Sequence, residues 1–452
     1  MHAASYDFIV IGGGILGVSH AAAAAARGLR VCLLERSPEA VDSSVRNFGL
    51  LTRLYDDGGP WGARAHRSRE IYESWAARGD IPLRVTGSLQ LAQSAAQMAA
   101  LRALTSTAPR SLGIELLDAA STRTRAPALA HDEELHGSAY FPNDALLEPR
   151  EMFGPSFLPA ALVRAGVDVC LRTAAVGIDK DGARGVRVRS SDGRTRTAHS
   201  VALCSGAETA TLLPQVFAAE RAALRLCKLQ MTRVALPDAP SSRAAGGLPP
   251  PPIALTSGLS LKRYPALAAH AGAAAAATLR ANDDARWVQE EALGIHIIAR
   301  PATAPTRNPF GRAIERAPPH LSDTEMIVGD SHEYAGLDGV VLDETCDEKV
   351  TDAILRVAGG MLRGVRALAE ARAGRGVSEG AARVVAQWSG IYLEHKSGVF
   401  MATARKVGRR WERNDADVTA PGAVHVVTGI GGKGMTMGPG LGEENIGKWF
   451  PQ

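Results

Sequence analysis

One stretch at the start of the chain limits the possible folds more than any other. Tyr6 to Arg36 reads YDFIVIGGGILGVSHAAAAAARGLRVCLLER. The apolar run Phe8 to Ile11 has the length of a buried parallel strand. Gly12, Gly14 and Gly17 follow in GxGxxG spacing, then an alanine-rich helix that stops near Gly28, then a second apolar strand from Leu29 to Leu34 ending on Glu35. Gly12 suits the tight turn off the strand, Gly14 the close approach of a pyrophosphate, and Gly17 the close packing of helix on sheet. The helix start offers free N–H groups and the positive end of its dipole to phosphate. Glu35 falls where a carboxylate takes up ribose hydroxyls, which favours an unphosphorylated ribose and therefore FAD or NAD over NADP.

A chain of 452 residues exceeds one compact core and predicts two or three domains. Its apolar content of 46% and charged content of 22% are ordinary for a globular protein. The net charge of +4 comes with no long Lys/Arg run, so no nucleic-acid surface is expected. Five scattered cysteines (Cys32, Cys170, Cys204, Cys227, Cys346) include no CxxC pair, which argues for a reducing compartment and against a disulfide framework or a zinc site. No metal is expected. With no signal-like start and no apolar run of membrane-spanning length, a cytoplasmic protein without membrane contact is the expectation.

Further along, Ser43 to Leu50 is a polar, glycine-ended segment. It suits either a path beside an extended cofactor or a helix-capping loop. Trp61 to Ala77 has helical spacing. Strand patterns at Val85–Leu91 and Ser138–Phe141 flank the helical Ala95–Leu104 and mark an excursion into a second, antiparallel domain. The chain returns with a helix over 151–165, a strand over 167–171, a hairpin turning at Ser191-Asp192-Gly193, and the apolar strand leading to Cys204-Ser205-Gly206. A strand over 224–233 precedes two segments read as insertions, 241–252 and 299–322. A long amphipathic helix is predicted over 347–372. Finally the strand Val424–Thr428 runs into GIGGKGMTMG at 429–438, a second glycine-rich loop opening a helix.

These residues together resemble the FAD-dependent oxidoreductases of the D-amino-acid oxidase superfamily, which includes glycine and sarcosine oxidases. The resemblance rests on Gly12-x-Gly14-x-x-Gly17 with Glu35-Arg36, SSVRNFG at 43–49, Val176, Cys204-Ser205-Gly206-Ala207 and GIGGKGMT at 429–436. KLQMTR at 228–233, SGLSLKRYP at 257–265, GDSHEY at 329–334 and WSGIY at 388–392 look closest to a clade proposed to oxidise aminophosphonates. The resemblance implies an α/β fold: a discontinuous Rossmann-like FAD-binding domain (1–82, 143–215, 345–452) and a mostly antiparallel substrate domain (83–142, 216–344). It implies that Gly12, Gly14, Ile15, Leu16, Gly17, Glu35 and Arg36 hold adenosine and pyrophosphate. Ser44, Arg46, Asn47 and Gly49 would run along the ribityl chain, Val176 would meet adenine, and Gly206 would lie close by. Gly431, Gly432, Lys433, Gly434, Met435 and Thr436 would address the flavin ring. Tyr392 matches the aromatic of a motif that carries covalent flavin in sarcosine oxidase, but no cysteine lies nearby, so FAD is expected to be non-covalent.

The implied reaction oxidises the C–N bond of a small amine by hydride transfer to flavin N5, giving an imine that hydrolyses, with dioxygen or another electron acceptor closing the cycle. An anionic head on that amine needs a fixed cation. Arg263 with Tyr264 is the first candidate, although a surface arginine beside a packed tyrosine fits the same residues. His332 is placed to accept a proton or to bind the head, or else is held structurally by Asp330. Tyr392 is a pocket wall or a core residue. Lys433 is a cation beside the flavin or a solvated loop lysine. Two alternatives stay open: a nicotinamide-dependent dehydrogenase, and a flavin-binding protein without amine oxidase activity. The oligomeric state is left open as well.

Overall fold

The computed structural model describes residues 5–451 apart from 56–57, 130–131, 183–184, 236–252, 265, 274–276, 278–292, 301–324, 338–341, 376–381 and 409. The expected insertion at 241–252 lies outside the described residues. So does that at 299–322, except that 299 and 300 end the strand His296–Arg300.

The opening strand Ser5–Ile11 is central to the first sheet. It pairs in parallel with Val31–Leu34 on one side and Thr195–Leu203 on the other. Asp168–Cys170 extends the sheet in parallel at one edge, and Val424–Thr428 joins Thr195–Leu203 in parallel at the other. Phe400–Val407 and Arg410–Arg413 complete that flank in antiparallel fashion. Because side chains alternate along a strand, Phe8 and Val10 enter one core with the helices Ile15–Ala26 and Gly434–Trp449, while Ile9 and Ile11 enter another on the opposite face. Phe8, Ile9 and Val10 are fully buried, each contributing about 1.5–3 kcal/mol.

A second sheet is mostly antiparallel. Leu224–Ala235 lies within it, pairing with Glu325–Gly329, Glu333–Gly336 and Arg383–His395. His296–Arg300, Ala254–Thr256, Ser88–Ala92, Gly137–Phe141 and Glu115–Asp118 continue it, with one parallel step between Ala254–Thr256 and Ser88–Ala92. A small third sheet joins Leu50–Leu51, Ala145–Leu147 and Leu83–Val85.

The structure departs from the sequence reading in four places. The strand read over Val85–Leu91 is divided at Thr86-Gly87: Leu83–Val85 belongs to the small third sheet and Ser88–Ala92 to the second. Glu348–Met361, Arg363–Arg372 and Arg383–His395, expected with the nucleotide-binding part, sit on the antiparallel sheet. The strand Arg383–His395 pairs along Leu224–Ala235, and Ile354, Val357, Ala358 and Val365 share a core with Leu89, Leu255 and Val328. The helix predicted over 347–372 is two helices, Glu348–Met361 and Arg363–Arg372, divided at Leu362 in an extended conformation. The second folds back so tightly that a Cβ on Gly359 would stand 2.8 Å from Arg366 Cα. The helix predicted over 151–165 is likewise two, Pro149–Met152 and Leu158–Arg164, interrupted where Gly154-Pro155 stands. Among the described residues no helix is long and apolar enough to cross a membrane.

Candidate active site

Three parallel strands end side by side, and each ends in a glycine-bearing turn: Ser5–Ile11 at Gly12, Thr195–Leu203 just before Gly206, and Val424–Thr428 at Gly429. Parallel pairing puts all three carboxyl ends on one edge of the sheet, where ligands bind in open α/β folds. A cavity of about 800 Å³ opens there, lined by all three turns and reaching across to the antiparallel sheet. That volume falls in the ~300–1,000 Å³ range of small-molecule sites.

The first turn depends on close approach. Gly12 has φ +107°, and a Cβ there would sit 2.5 Å from the Cys204 carbonyl oxygen. A Cβ on Gly17 would stand 1.8 Å from the Gly12 oxygen, so only glycine lets the helix press on the turn. The Glu35 carboxylate, at the end of the second strand, accepts the Gly13 N–H at 2.7 Å and the Ser37 N–H at 2.8 Å. Burial pushes its carboxyl above the usual range against those two bonds. Arg36 is held at the rim by Glu208 and by Asp42 at 3.2 Å. Ser44 Oγ accepts the Ile15 N–H at 3.0 Å, and Asn47 bonds the Ser44 carbonyl at 2.9 Å and the Gly49 N–H at 2.8 Å. The 43–49 segment therefore caps itself and lines the cavity as well.

The second glycine loop is brought to the first by helix packing. The helix Gly434–Trp449 lies on Ile15–Ala26: a Cβ on Gly438 would be 3.0 Å from Ile15 Cγ1, and one on Gly442 would be 2.8 Å from the Ser19 backbone. Asn445 and His20 bond across the same contact at 3.0 Å, and the Tyr72 hydroxyl donates to the Met435 carbonyl at 2.6 Å. Lys433 precedes the helix, its ammonium 5.0 Å from the Trp61 ring centroid. Burial lowers its pKa, with Glu394 acting in the opposite direction.

The antiparallel sheet contributes a polar cluster to the same cavity. Arg263 contacts the His332 ring and lies 3.9 Å from Asp330 Oδ1. His332 Nε2 is 3.7 Å from Asp330 Oδ2. Burial, reinforced by Arg263, drives the His332 pKa well below its ordinary value, so the ring is neutral. Burial raises Asp330 to about 7, with Arg263 pulling the other way, and its Oδ1 has no hydrogen-bond partner. Tyr264 meets Tyr55 edge-on at 5.2 Å, and His296 stacks on Phe48 at 4.3 Å. His296 is pushed down to about 3 by burial and then by Arg263. The other lining arginines hold closer carboxylates: Arg46 has Glu344 at 2.9 Å and Arg225 has Glu394 at 2.7 Å.

Among the expected site residues, Gly12, Gly14, Ile15, Leu16, Glu35, Arg36, Ser44, Arg46, Asn47, Gly206, Arg263, Tyr264, His332, Tyr392 and Gly431 to Thr436 all line this one cavity. Three do not. Gly17 packs on Gly12. Gly49, at φ +75°, packs on the Leu147 carbonyl. Val176 is 54% exposed, and its neighbours Thr173 to Ala175 line the cavity instead. Tyr392 pairs in register with Cys227, so a cysteine does stand beside it in space, although Cys227 is not among the lining residues. Tyr55, Arg225, His296, Tyr334 and Glu394 also line the cavity and were missed. They are isolated letters on separate strands and loops, with no spacing to flag them. Ser205, whose buried hydroxyl has no partner, lines it too.

These features suit an elongated dinucleotide. A cradle without side chains at Gly12 to Gly14 sits beside the half-buried Glu35 carboxylate, Gly206 has open space where a Cβ would be, and an orphaned Ser205 hydroxyl borders the same cavity. The sequence profile of the FAD dependent oxidoreductase (DAO) family matches residues 7–445. Comparison with curated proteins gives no significant match. Among solved structures, glycine oxidase from Geobacillus kaustophilus is similar at 18% identity and TM-score 0.66, covering 99% of this chain and 94% of that one. Iminodiacetate oxidase from Chelativorans sp. BNC1 is similar at 16% identity and TM-score 0.62, covering 98% and 94%. L-alpha-glycerophosphate oxidase from Mycoplasma pneumoniae, a structure with FAD bound, is similar at 13% identity and TM-score 0.64, covering 100% and 96%.

Proposed function

Since the chain belongs to the FAD-dependent oxidoreductase (DAO) family, we propose that it oxidises the C–N bond of a small amine with an anionic head, an amino acid or an aminophosphonate. Membership also sets aside the nicotinamide alternative. The observation that carries the substrate reading is the buried Arg263–Asp330–His332 cluster, which lines the same cavity as both glycine loops.

Bound non-covalently, FAD would supply the two-electron acceptor. Gly12 to Gly17, Glu35, Ser205 and Gly206 would hold its nucleotide part, and Gly431 to Thr436 its ring. Arg263 offers the anionic head a guanidinium that lines the cavity, with the easily protonated Asp330 carboxyl 3.9 Å from it. Asp330 Oδ1 takes a proton from the substrate ammonium, leaving a neutral amine and a carboxylic acid. His332 stays neutral and orients the guanidinium. Tyr55, Tyr264 and His296 exclude water around the carbon chain. Lys433 adds positive charge at the second glycine loop. In the division of labour that follows, the parallel sheet carries the nucleotide, and the antiparallel sheet, now including Glu348–Met361, Arg363–Arg372 and Arg383–His395, carries the substrate.

The test is anaerobic mixing of FAD-loaded protein with α-amino acids, N-methyl amino acids, aminophosphonates and matched neutral amines, reading the visible flavin absorbance. Loss of absorbance with anionic amines supports the reading. Loss with neutral amines alone, or with none of the panel, refutes it.

A further inference from the structure

A second cluster of reactive side chains lies on the edge of the parallel sheet. Cys32 sits in Val31–Leu34, and Asp168 and Cys170 in the edge strand Asp168–Cys170. Parallel register sets Cys32 opposite Asp168 and Leu34 opposite Cys170, so all three side chains share one face. The two sulfurs are 4.0 Å apart, Cys170 Sγ is 3.7 Å from Asp168 Oδ1, and the three donor atoms lie within 4.8 Å of one another. A tetrahedral ion with bonds of about 2.3 Å to sulfur and about 2.0 Å to oxygen requires S···S near 3.8 Å and S···O near 3.5 Å. The S···S and Cys170–Asp168 separations need to close by only a few tenths of an ångström, and the Cys32–Asp168 separation, within 4.8 Å, closes by a rotation of the exposed Asp168 side chain.

We infer that Cys32, Asp168 and Cys170 bind one thiophilic divalent cation of the zinc class, with a solvent molecule in the fourth position. The surroundings are those of a ligand set. The Tyr6 hydroxyl donates to Asp168 Oδ2 at 2.5 Å, leaving Oδ1 towards Cys170. Arg196 donates to Cys170 Sγ at 3.5 Å, and its charge is matched by Asp192 at 2.9 Å. Two thiolates and a carboxylate more than balance a divalent ion, and the exposed Asp168 and half-buried Cys170 give it an entry path. A disulfide fits less well: the sulfurs lie diagonally across two strands at nearly twice the ~2.05 Å bond length. Cysteine spacing hid this site, because the two thiols are 138 positions apart and only strand pairing joins them. The expectation of no metal is thereby revised. The ion would clip the edge strand in place beside the cofactor cavity: Cys170 O accepts the Glu35 N–H at 2.9 Å, and Glu35 O accepts the N–H of the lining residue Thr173 at 2.8 Å.

The test uses reduced, chelator-treated, FAD-loaded protein titrated anaerobically with Cd²⁺ alone, then competed with Zn²⁺. It follows the ultraviolet thiolate-to-cadmium charge-transfer band. One equivalent is expected to saturate the band and Zn²⁺ to displace it. Cys170→Ser should abolish the two-thiolate band, Asp168→Asn should weaken binding by about tenfold or more, and Cys346→Ala should change nothing. Both ligand variants are at partly solvent-facing positions, so folding is retained and checked by flavin content. No band, a band unchanged in Cys170→Ser, equal affinity in Asp168→Asn, or a Cys32–Cys170 disulfide forming where Cd²⁺ gives no band, would each overturn the inference.

Discussion

Replacing Asp330 by Asn should make the protein more stable and less active, each in a pH-dependent way. In the fold this carboxyl titrates at about 7, against 3.8 for an unperturbed aspartate, because burial disfavours its charge more than Arg263 restores it. Below 3.8 both folded and unfolded states are protonated and the group has no effect. Between 3.8 and about 7 the unfolded chain releases the proton while the folded one keeps it, so folding weakens as pH rises, and the loss is complete above 7. At about 1.4 kcal/mol per pH decade, the three decades amount to a limit of about 4 kcal/mol. Asn resembles the protonated acid and escapes this cost. Its advantage over wild type should therefore grow by about 2–3 kcal/mol between about pH 5 and about pH 8. Denaturation of both proteins at the two pH values, with equal FAD, measures it. In parallel, kcat/KM for an anionic amine should rise through about pH 7 in wild type and lose that limb in the variant. An Asn variant no more stable at high pH would mean that Asp330 is a settled ionic partner of Arg263. It could not then be the proton acceptor.

His332 is neutral across the working range, so His332→Gln should keep the pH limb near 7; loss of the limb would transfer the acceptor role from Asp330 to His332. Arg263→Ala should raise KM for anionic amines roughly 10–100-fold and leave matched neutral amines unchanged. Equal effects on both would remove Arg263 from head-group binding. Gly14→Val should abolish FAD retention in a folded protein, because Gly14 has φ −74° and its nearest obstacle is the Ser44 hydroxyl at 3.0 Å. Retained flavin after gel filtration would refute the cradle. Lys433→Met should slow flavin reduction or reoxidation in stopped-flow half-reactions, and unchanged rates in both would confine Lys433 to packing on Trp61.

How much of this was legible depended on the range over which each feature is encoded. The strand–glycine–helix–strand unit at 6–36 and the loop at 429–436 are local objects whose turns, periodicity and helix starts all lie within a few dozen residues. Both were readable, down to the Gly17 contact. Their meeting was not readable from either one: it depends on Gly438 and Gly442 admitting Ile15 and Ser19, which is a match between two helix surfaces. The same limit explains the errors. Nothing within Arg383–His395 names a strand partner, so the segment was placed with the nucleotide-binding part although it pairs along Leu224–Ala235. Nothing in Asp347–Arg372 shows that the chain turns at Leu362 to fold back on Gly359. His296, Tyr55 and Asp330 enter one cluster because neighbouring strands and a loop bring single residues together. By the same logic a thiol at 32 finds a thiol at 170 across one step of register. In a fold whose two sheets face a shared cavity, the glycine turns are written in contiguous sequence, whereas the polar cluster across from them is written in register. Single substitutions on separate strands can therefore remodel that cluster while the glycine loops stay intact, which is why the loops carry the family resemblance and leave the substrate to be found by experiment.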